Sequence, residues 1–181
     1  MFDLEEYVVQ SNKIEGLFAT KGLYHTVHLA LAQQVVANPQ FIIDDLRFAH
    51  SRLGAALEAG IRPGEYRHED AYIGKQRLPK PEYLEGLMED FSTFVRLRQE
   101  ECQATTTEQV SQLAWEIHHE FLCIHPFDDG NGRIARLLLN AFRQRNGLGW
   151  HTVFASAASE YFSHIKHYEE GVFKPKYPDV Y

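Results

Sequence analysis

Apolar residues recur three and four positions apart along most of this 181-residue chain. That spacing commits the chain to helices, because only a period near 3.6 residues gathers such positions onto one face. It predicts a helix over Leu23–Val36, and another over Phe41–Leu57 that stops near Gly60. A third follows Pro81, with Leu84, Leu87, Met88, Phe91, Phe94 and Val95 on one side. Thr105 and Glu108 have the spacing of a capping box, and Val110, Leu113, Ala114, Ile117, Phe121 and Ile124 carry the next helix onward. Pro126 ends it, because proline disfavours the helical conformation of the residue before it. Ile134, Leu137, Leu138, Ala141 and Phe142 mark a helix from Asn131 to Arg145, closed by Gly147 and Gly149. A last helix is expected over Ala155–Glu169. Only the stretch from Gly64 to Lys80 departs from the pattern. Its Gly-Lys-Gln centre suits a turn between two short extended arms. The expected class is all-α with one small β-hairpin, in a single domain over 1–181.

Composition narrows the function classes. Apolar types make up 44% and charged types 24%, enough for a real core and unlike a disordered chain. The net charge of −7 argues against a nucleic-acid or polyanion binder, which would show a basic excess. No apolar run approaches the roughly 20 residues that span a bilayer, so no membrane partner is expected. Met1-Phe-Asp-Leu-Glu-Glu lacks the basic-then-apolar order of a signal peptide. Two cysteines, Cys102 and Cys123, are too few for a disulfide scaffold and read as free thiols, Cys123 as a small core residue. These features point to the cytoplasm.

The chemistry concentrates in His125-Pro126-Phe127-Asp128-Asp129-Gly130-Asn131-Gly132-Arg133-Ile134-Ala135-Arg136. A helix ends, a polar loop follows, and Gly130-Asn131-Gly132 opens the next helix. Small residues let ligand atoms approach the backbone N–H groups, and a helix N-terminus attracts anions. Arg133 and Arg136 lie three apart on one face of the first turns. Two cations there oppose the helix dipole, at a cost of a few tenths to about 1 kcal/mol each. A polyphosphate would reverse that sign, since arginine makes forked bonds to phosphate oxygens. Asp128 and Asp129 stand beside the same pocket, and a carboxylate next to phosphates is a natural Mg²⁺ ligand. His125, with an ordinary pKa near 6.5, suits a general base. A base, a metal carboxylate and an anion nest together imply phosphoryl or nucleotidyl transfer.

His125 to Arg136 resembles the full signature of the Fic domain family, HPFxxGNGRxxR, with every fixed position met. The likeness extends to Glu116-Ile-His-His-Glu-Phe and to the Gly64–Pro79 segment. It implies a mostly helical fold and, for most members, transfer of AMP from ATP to a hydroxyl on a target protein with release of pyrophosphate. By that resemblance His125 deprotonates the hydroxyl, and Asp129 holds Mg²⁺ on the α- and β-phosphates. Gly130, Asn131, Gly132 and Arg133 cradle those phosphates, Arg136 holds the γ-phosphate, and Phe127 anchors the loop in the core. The 64–80 hairpin, with Tyr72, Ile73, Gly74 and Lys75, resembles the family's flap, to which a target protein segment adds as an extra strand. Tyr161 falls where many members place an aromatic near the nucleotide base.

Beside that signature, Ser11-Asn12-Lys13-Ile14-Glu15-Gly16 resembles the inhibitory motif of self-regulated members, in a helix over 1–16. Ser11 and Glu15 share a helix face, and Gly16 ends the helix behind Glu15. A carboxylate held there could pair fork to fork with Arg136 and take it from the γ-phosphate. The expected protein is an auto-inhibited adenylyltransferase acting on a target protein or on itself. A homo-oligomer whose interface covered Glu15 would make the switch concentration-dependent. Two alternatives stay open: removal of AMP or transfer of another phosphate-containing group, and a non-catalytic nucleotide-sensing regulator. His118 and His119 point in different directions, one of them packing beneath His125, and no zinc site is expected from His164 and His167. Trp115, Trp150 and most Phe and Tyr residues read as core. Lys174–Pro178 reads as an extended tail.

Overall fold

A computed structural model of the chain describes residues 2–56, 61–73, 75–102 and 106–171. The helices run α1 (Leu4–Ile14), α2 (Leu23–Ala37), α3 (Gln40–Asp44), α4 (Leu46–Gly54), α5 (Leu84–Glu101), α6 (Thr107–Ile124), α7 (Asn131–Arg145) and α8 (Ala158–Gly171). One antiparallel hairpin, β1 (Tyr72–Ile73) and β2 (Gln76–Arg77), stands among them, with Tyr72 opposite Arg77 and Ile73 opposite Gln76. The all-α expectation with a small hairpin holds.

α7 is the axis of the bundle. It packs against α6, α3, α2, α1 and α4. Ile134, Ala135, Leu137, Leu138, Leu139, Ala141 and Phe142 are all fully buried, which is what a helix surrounded on every side requires. Each large side chain there is worth about 1.5–3 kcal/mol of burial. The active loop thus hangs from the most rigidly packed element of the molecule. α1 lies over the end of the bundle: its Tyr7 and Val8 are buried, and Tyr7 meets Trp150 edge-on with ring centroids 4.9 Å apart.

Several boundaries differ from the sequence reading. The stretch expected as one helix over Phe41–Leu57 is two. Asp45 adopts a non-helical conformation, and its side chain accepts the N–H of Phe48 at 2.8 Å, which ends α3 and starts α4. Leu57 and Gly60 lie outside the described residues. The capping box before α6 opens at Thr106 with Gln109 as its N3 partner rather than at Thr105 with Glu108, and Thr105 lies outside the described residues. Three consecutive threonines make both registers legible, and the side chain of Gln109 closes the box. Short 3₁₀ turns precede α5 at Pro81–Tyr83 and α8 at Ala155–Ala157. Cys123 is only half-buried rather than core, and neither cysteine is in a disulfide. Gly74, His167 and the 174–178 segment fall outside what the structure describes or among residues whose side chains it leaves undescribed. Among the described residues no helix is long and apolar enough to cross a membrane.

Candidate active site

His125 caps the C-terminus of α6 in the left-handed conformation, φ 51° and ψ 59°. Among the described residues it is the sole non-glycine with positive φ. A histidine there costs of order 1 kcal/mol or more, a strain that structures keep where it serves a purpose. Its Nδ1 lies 3.3 Å from the carbonyl of Leu122. A carbonyl only accepts, so Nδ1 carries the hydrogen and Nε2 keeps a lone pair for a substrate proton. Burial lowers its pKa to about 4, so the ring is neutral at physiological pH.

The loop after His125 is held by its own side chains. Phe127 is fully buried and stacks on His50, with centroids 3.8 Å apart and planes within 3°. Asn131 is buried, and its amide both accepts the N–H of Phe127 (3.0 Å) and donates to its carbonyl (2.8 Å). That side chain is spent on shaping the loop, so what Asn131 offers a ligand is its backbone N–H. The first backbone bond of α7 runs from the Ile134 N–H to Gly130. The N–H groups of Asn131, Gly132 and Arg133 therefore have no partner within the helix and form an anion cradle. Gly130 supports this turn with φ 82°.

Both arginines of the signature face this cradle from nearly complete burial, 1% exposed each. Arg133 engages the Tyr24 hydroxyl through Nη1 and lies over the Tyr24 ring, and its Nη2 is 3.0 Å from Asp129. Arg136 is enclosed by α1 and α8. Its Nε donates to the Ser11 hydroxyl (2.8 Å), and its Nη2 to the Ser11 carbonyl (2.9 Å) and to Glu15 Oε1 (2.6 Å). Nη1 donates to the Tyr161 hydroxyl at 3.2 Å. Burial works against the Arg136 charge, but Tyr161, Glu15 and Tyr7 outweigh it and raise its pKa above the usual arginine value. The expected fork-to-fork pair is thus single-pronged. Ser11 takes the second edge of the guanidinium, leaving Glu15 one oxygen to bond. Glu15 also fills the cradle: a Cβ built on Gly132 would overlap its Oε1 and stand 3.1 Å from Arg136 Nη1. The Glu15 carboxylate thus lies against Gly132 at the start of α7.

The acidic pair divides. Asp128 is bound to Arg62 by two contacts, 3.1 and 3.2 Å. Asp129 accepts the Gly130 N–H at 2.6 Å and faces Arg133 with its other oxygen, its side chain 51% exposed. Among the described residues no group of three or more His, Cys, Asp or Glu side chains could hold a metal. One half-exposed carboxylate beside a phosphate cradle fits Mg²⁺ all the same, because that ion takes one or two carboxylates and completes its shell with phosphate and water.

Three supports carry no local sequence signal. His50 accepts the Gly64 N–H on Nδ1 (2.9 Å) and donates from Nε2 to the Asp129 carbonyl (3.0 Å), a neutral ring joining the hairpin's base to the loop. Arg67 donates to the carbonyls of His125 (2.8 Å), Glu69 (2.9 Å) and Pro79 (2.5 Å). It suits the C-terminal end of α6, where the helix dipole favours a cation. The third is Tyr24. His118 packs on Tyr161 (Nε2 to hydroxyl 2.9 Å) instead of beneath His125. Tyr161 is buried with its hydroxyl on Arg136 and His118, and its ring helps line a cavity of about 540 Å³ with Trp115, His119 and His151. On the hairpin, Tyr72, Ile73 and Lys75 are exposed, and Gly74 lies outside the described residues.

A neutral histidine at a helix end, unpaired N–H groups at a glycine-opened helix start and two buried arginines make a site suited to an anion on a helical bundle. A family model described as Fic/DOC family matches residues 40–143, and the chain belongs to that family. It is 30% identical over 149 residues to the protein adenylyltransferase Fic of Drosophila erecta, covering 82% of this chain and 28% of that protein. The Drosophila melanogaster protein of the same name matches at the same identity and coverage. The chain thus spans under a third of the length of these relatives. Among solved structures, a Fic domain containing signaling protein from Bacteroides thetaiotaomicron superposes with a TM-score of 0.73 at 22% identity, over 90% of this chain and 70% of that one. Fic-1 (residues 134–508) from C. elegans also gives 0.73, at 21% identity, over 93% and 56%. These structural likenesses establish the fold.

Proposed function

We propose that this chain is an auto-inhibited protein adenylyltransferase, moving AMP from Mg-ATP to a hydroxyl of a target protein. The observation that carries the reading is the shared position of Glu15: it sits on Arg136 and in the Gly132 cradle at once. A partly exposed carboxylate on a buried arginine supports a site that takes anions and is occupied here by one of the chain's own. The relatives named adenylyltransferases support the choice of nucleotide and bond.

His125 Nε2 takes the hydroxyl proton, and its neutral ring needs no prior deprotonation at pH 7. The N–H groups of residues 131–133 bind phosphate oxygens, and Arg133 and Arg136 neutralise their charge. Mg²⁺, held by Asp129, would supply further charge on the phosphate chain. With Glu15 in the cradle, Arg136 is withheld from the γ-phosphate and the α-phosphorus is left out of line for attack. Misplacement on the scale of 1 Å costs about 10²-fold in rate. The open edges of the β1–β2 hairpin, with Tyr72 and Ile73 exposed, suit docking of an extended target segment.

The test uses ATP labelled at the α-phosphate with wild type, Glu15→Gly, and Glu15→Gly combined with His125→Ala, each alone and with a cell lysate. Label on protein in the Glu15→Gly lane, at least tenfold over wild type and abolished by His125→Ala, is the expected result. Equal labelling by wild type and Glu15→Gly under saturating Mg-ATP would end the inhibition reading. Label that survives His125→Ala would end the assignment of the base.

A further inference from the structure

Arg133 sits where a cation is least at ease. It is in the first turn of α7, against the positive end of the helix dipole, three residues from a second buried arginine. Nothing in its own helix holds it there. Its Nε has no hydrogen-bond partner, and its Nη2 faces Asp129, a half-exposed carboxylate without hydrogen-bond geometry. The contact that holds the guanidinium, by a hydrogen bond and a ring together, is Tyr24, in the first turn of α2. The hydroxyl accepts from Nη1, and the ring lies beneath the guanidinium with Cζ 5.0 Å from its centroid. A ring face attracts a cation electrostatically, and a fork held by both a ring and its hydroxyl is restrained.

We propose that Tyr24 is a positioning residue of the phosphate site, holding Arg133 over the α7 N-terminus in the orientation that phosphate needs. The proposal rests on the nucleotide-binding reading above and deepens it. Because the Tyr24 hydroxyl accepts from Arg133, its own O–H remains a donor. Burial raises its pKa above the ordinary tyrosine value, so it stays a phenol and keeps that proton. The segment from Ser11 to Tyr24 then grips both arginines by different means. Glu15 and Ser11 withhold Arg136, whereas Tyr24 orients Arg133 with a neutral group that need not leave when an anion arrives. Removing Glu15 opens the cradle and leaves Arg133 in place.

Calorimetry in the Glu15→Gly background tests this with two probes, Mg-ATP and adenosine, on Tyr24, Tyr24→Phe and Tyr24→Ala. The expected result is that Tyr24→Ala weakens Mg-ATP by about tenfold and Tyr24→Phe by about threefold, since the ring face survives without the hydroxyl. Adenosine, which has no phosphates, binds all three within about twofold. In the labelling reaction KM for ATP rises in step with the binding loss, while kcat holds. Equal Mg-ATP affinity across the three proteins overturns the proposal. So does a loss for adenosine as large as that for Mg-ATP, which would mark Tyr24 as structural only. If the Glu15→Gly parent binds Mg-ATP but labels no protein, the transfer reading fails while the binding ratios still judge Tyr24. If the parent binds no Mg-ATP, both fall.

Discussion

At the scale of single residues, the left-handed backbone at His125 and the hydrogen bond from its Nδ1 to Leu122 serve one end. They fix the tautomer and leave Nε2 with its lone pair. The same burial that holds the ring lowers its pKa to about 4, so at neutral pH the ring is already neutral, as the proposed base must be. For Glu15→Gly, kcat/KM for label transfer should be flat from about pH 6 to 8 on its acidic limb and fall only below about pH 5. An acidic limb centred near 6.5, the ordinary histidine value, would show that burial does not set the base. The residues of this loop were legible in the sequence because their chemistry is local: base, carboxylate, glycines and arginines lie within twelve consecutive positions. Their supports were not legible. His50 meets Asp129 across 79 positions, Arg67 meets His125 across 58, and Arg133 meets Tyr24 across 109. No period or spacing encodes a contact of that range. Glu15 lies 121 positions from Arg136 and was found only because its motif could be read beside the loop's signature.

At the scale of elements, what needs explaining is why a hairpin of two-residue strands stands at a fixed place above the site. Two strands of that length cannot hold themselves in water. Arg67 supplies the anchor. It is 2% exposed, its guanidinium laces the carbonyls of Glu69, Pro79 and His125, and its backbone N–H reaches Pro126. The hairpin is therefore tied to the C-terminus of α6 more than to itself. Arg67→Ala leaves those carbonyls without their donor and should cost about 3 kcal/mol in urea unfolding. Amide exchange at Ile73 and Arg77 should quicken by more than the global loss explains. If exchange there rises only in proportion to global stability, the hairpin is anchored elsewhere. The sequence located this element from its glycine-centred turn, and located α6 and α7 from apolar spacing. It merged α3 and α4, because Asp45 interrupts a run whose apolar period continues on both sides. Only the capping bond to Phe48 reveals the break.

At the scale of the whole molecule, the bundle buries an unusual amount of titratable chemistry around α6 and α7. Burial lowers the pKa of six histidines, His28, His50, His118, His119, His125 and His151. It raises that of Glu120, 5% exposed on α6, to about 8. The two sets pull stability in opposite directions with pH. Below the ordinary histidine value of 6.5 the unfolded chain binds protons that the folded histidines refuse, so stability is lost as pH falls from 6.5 toward 4. Each such proton contributes a slope of up to about 1.4 kcal/mol per pH unit. Between 4.5 and about 8 the folded Glu120 keeps a proton that the unfolded chain gives up, so its contribution is lost as pH rises through that window. Six groups outweigh one until the unfolded histidines have lost about five-sixths of their protons, a little above pH 7, and beyond that Glu120 sets the sign. The urea midpoint should therefore peak between about pH 7 and 7.5, fall steeply toward pH 5 and fall gently toward pH 8. Glu120→Gln keeps the shape and removes the titration, so it should flatten the alkaline side and steepen the acid side, where Glu120 offsets about one histidine proton. A midpoint still declining from about pH 7.5 to 8 in that variant, with the wild-type slope, would place the alkaline loss in another group.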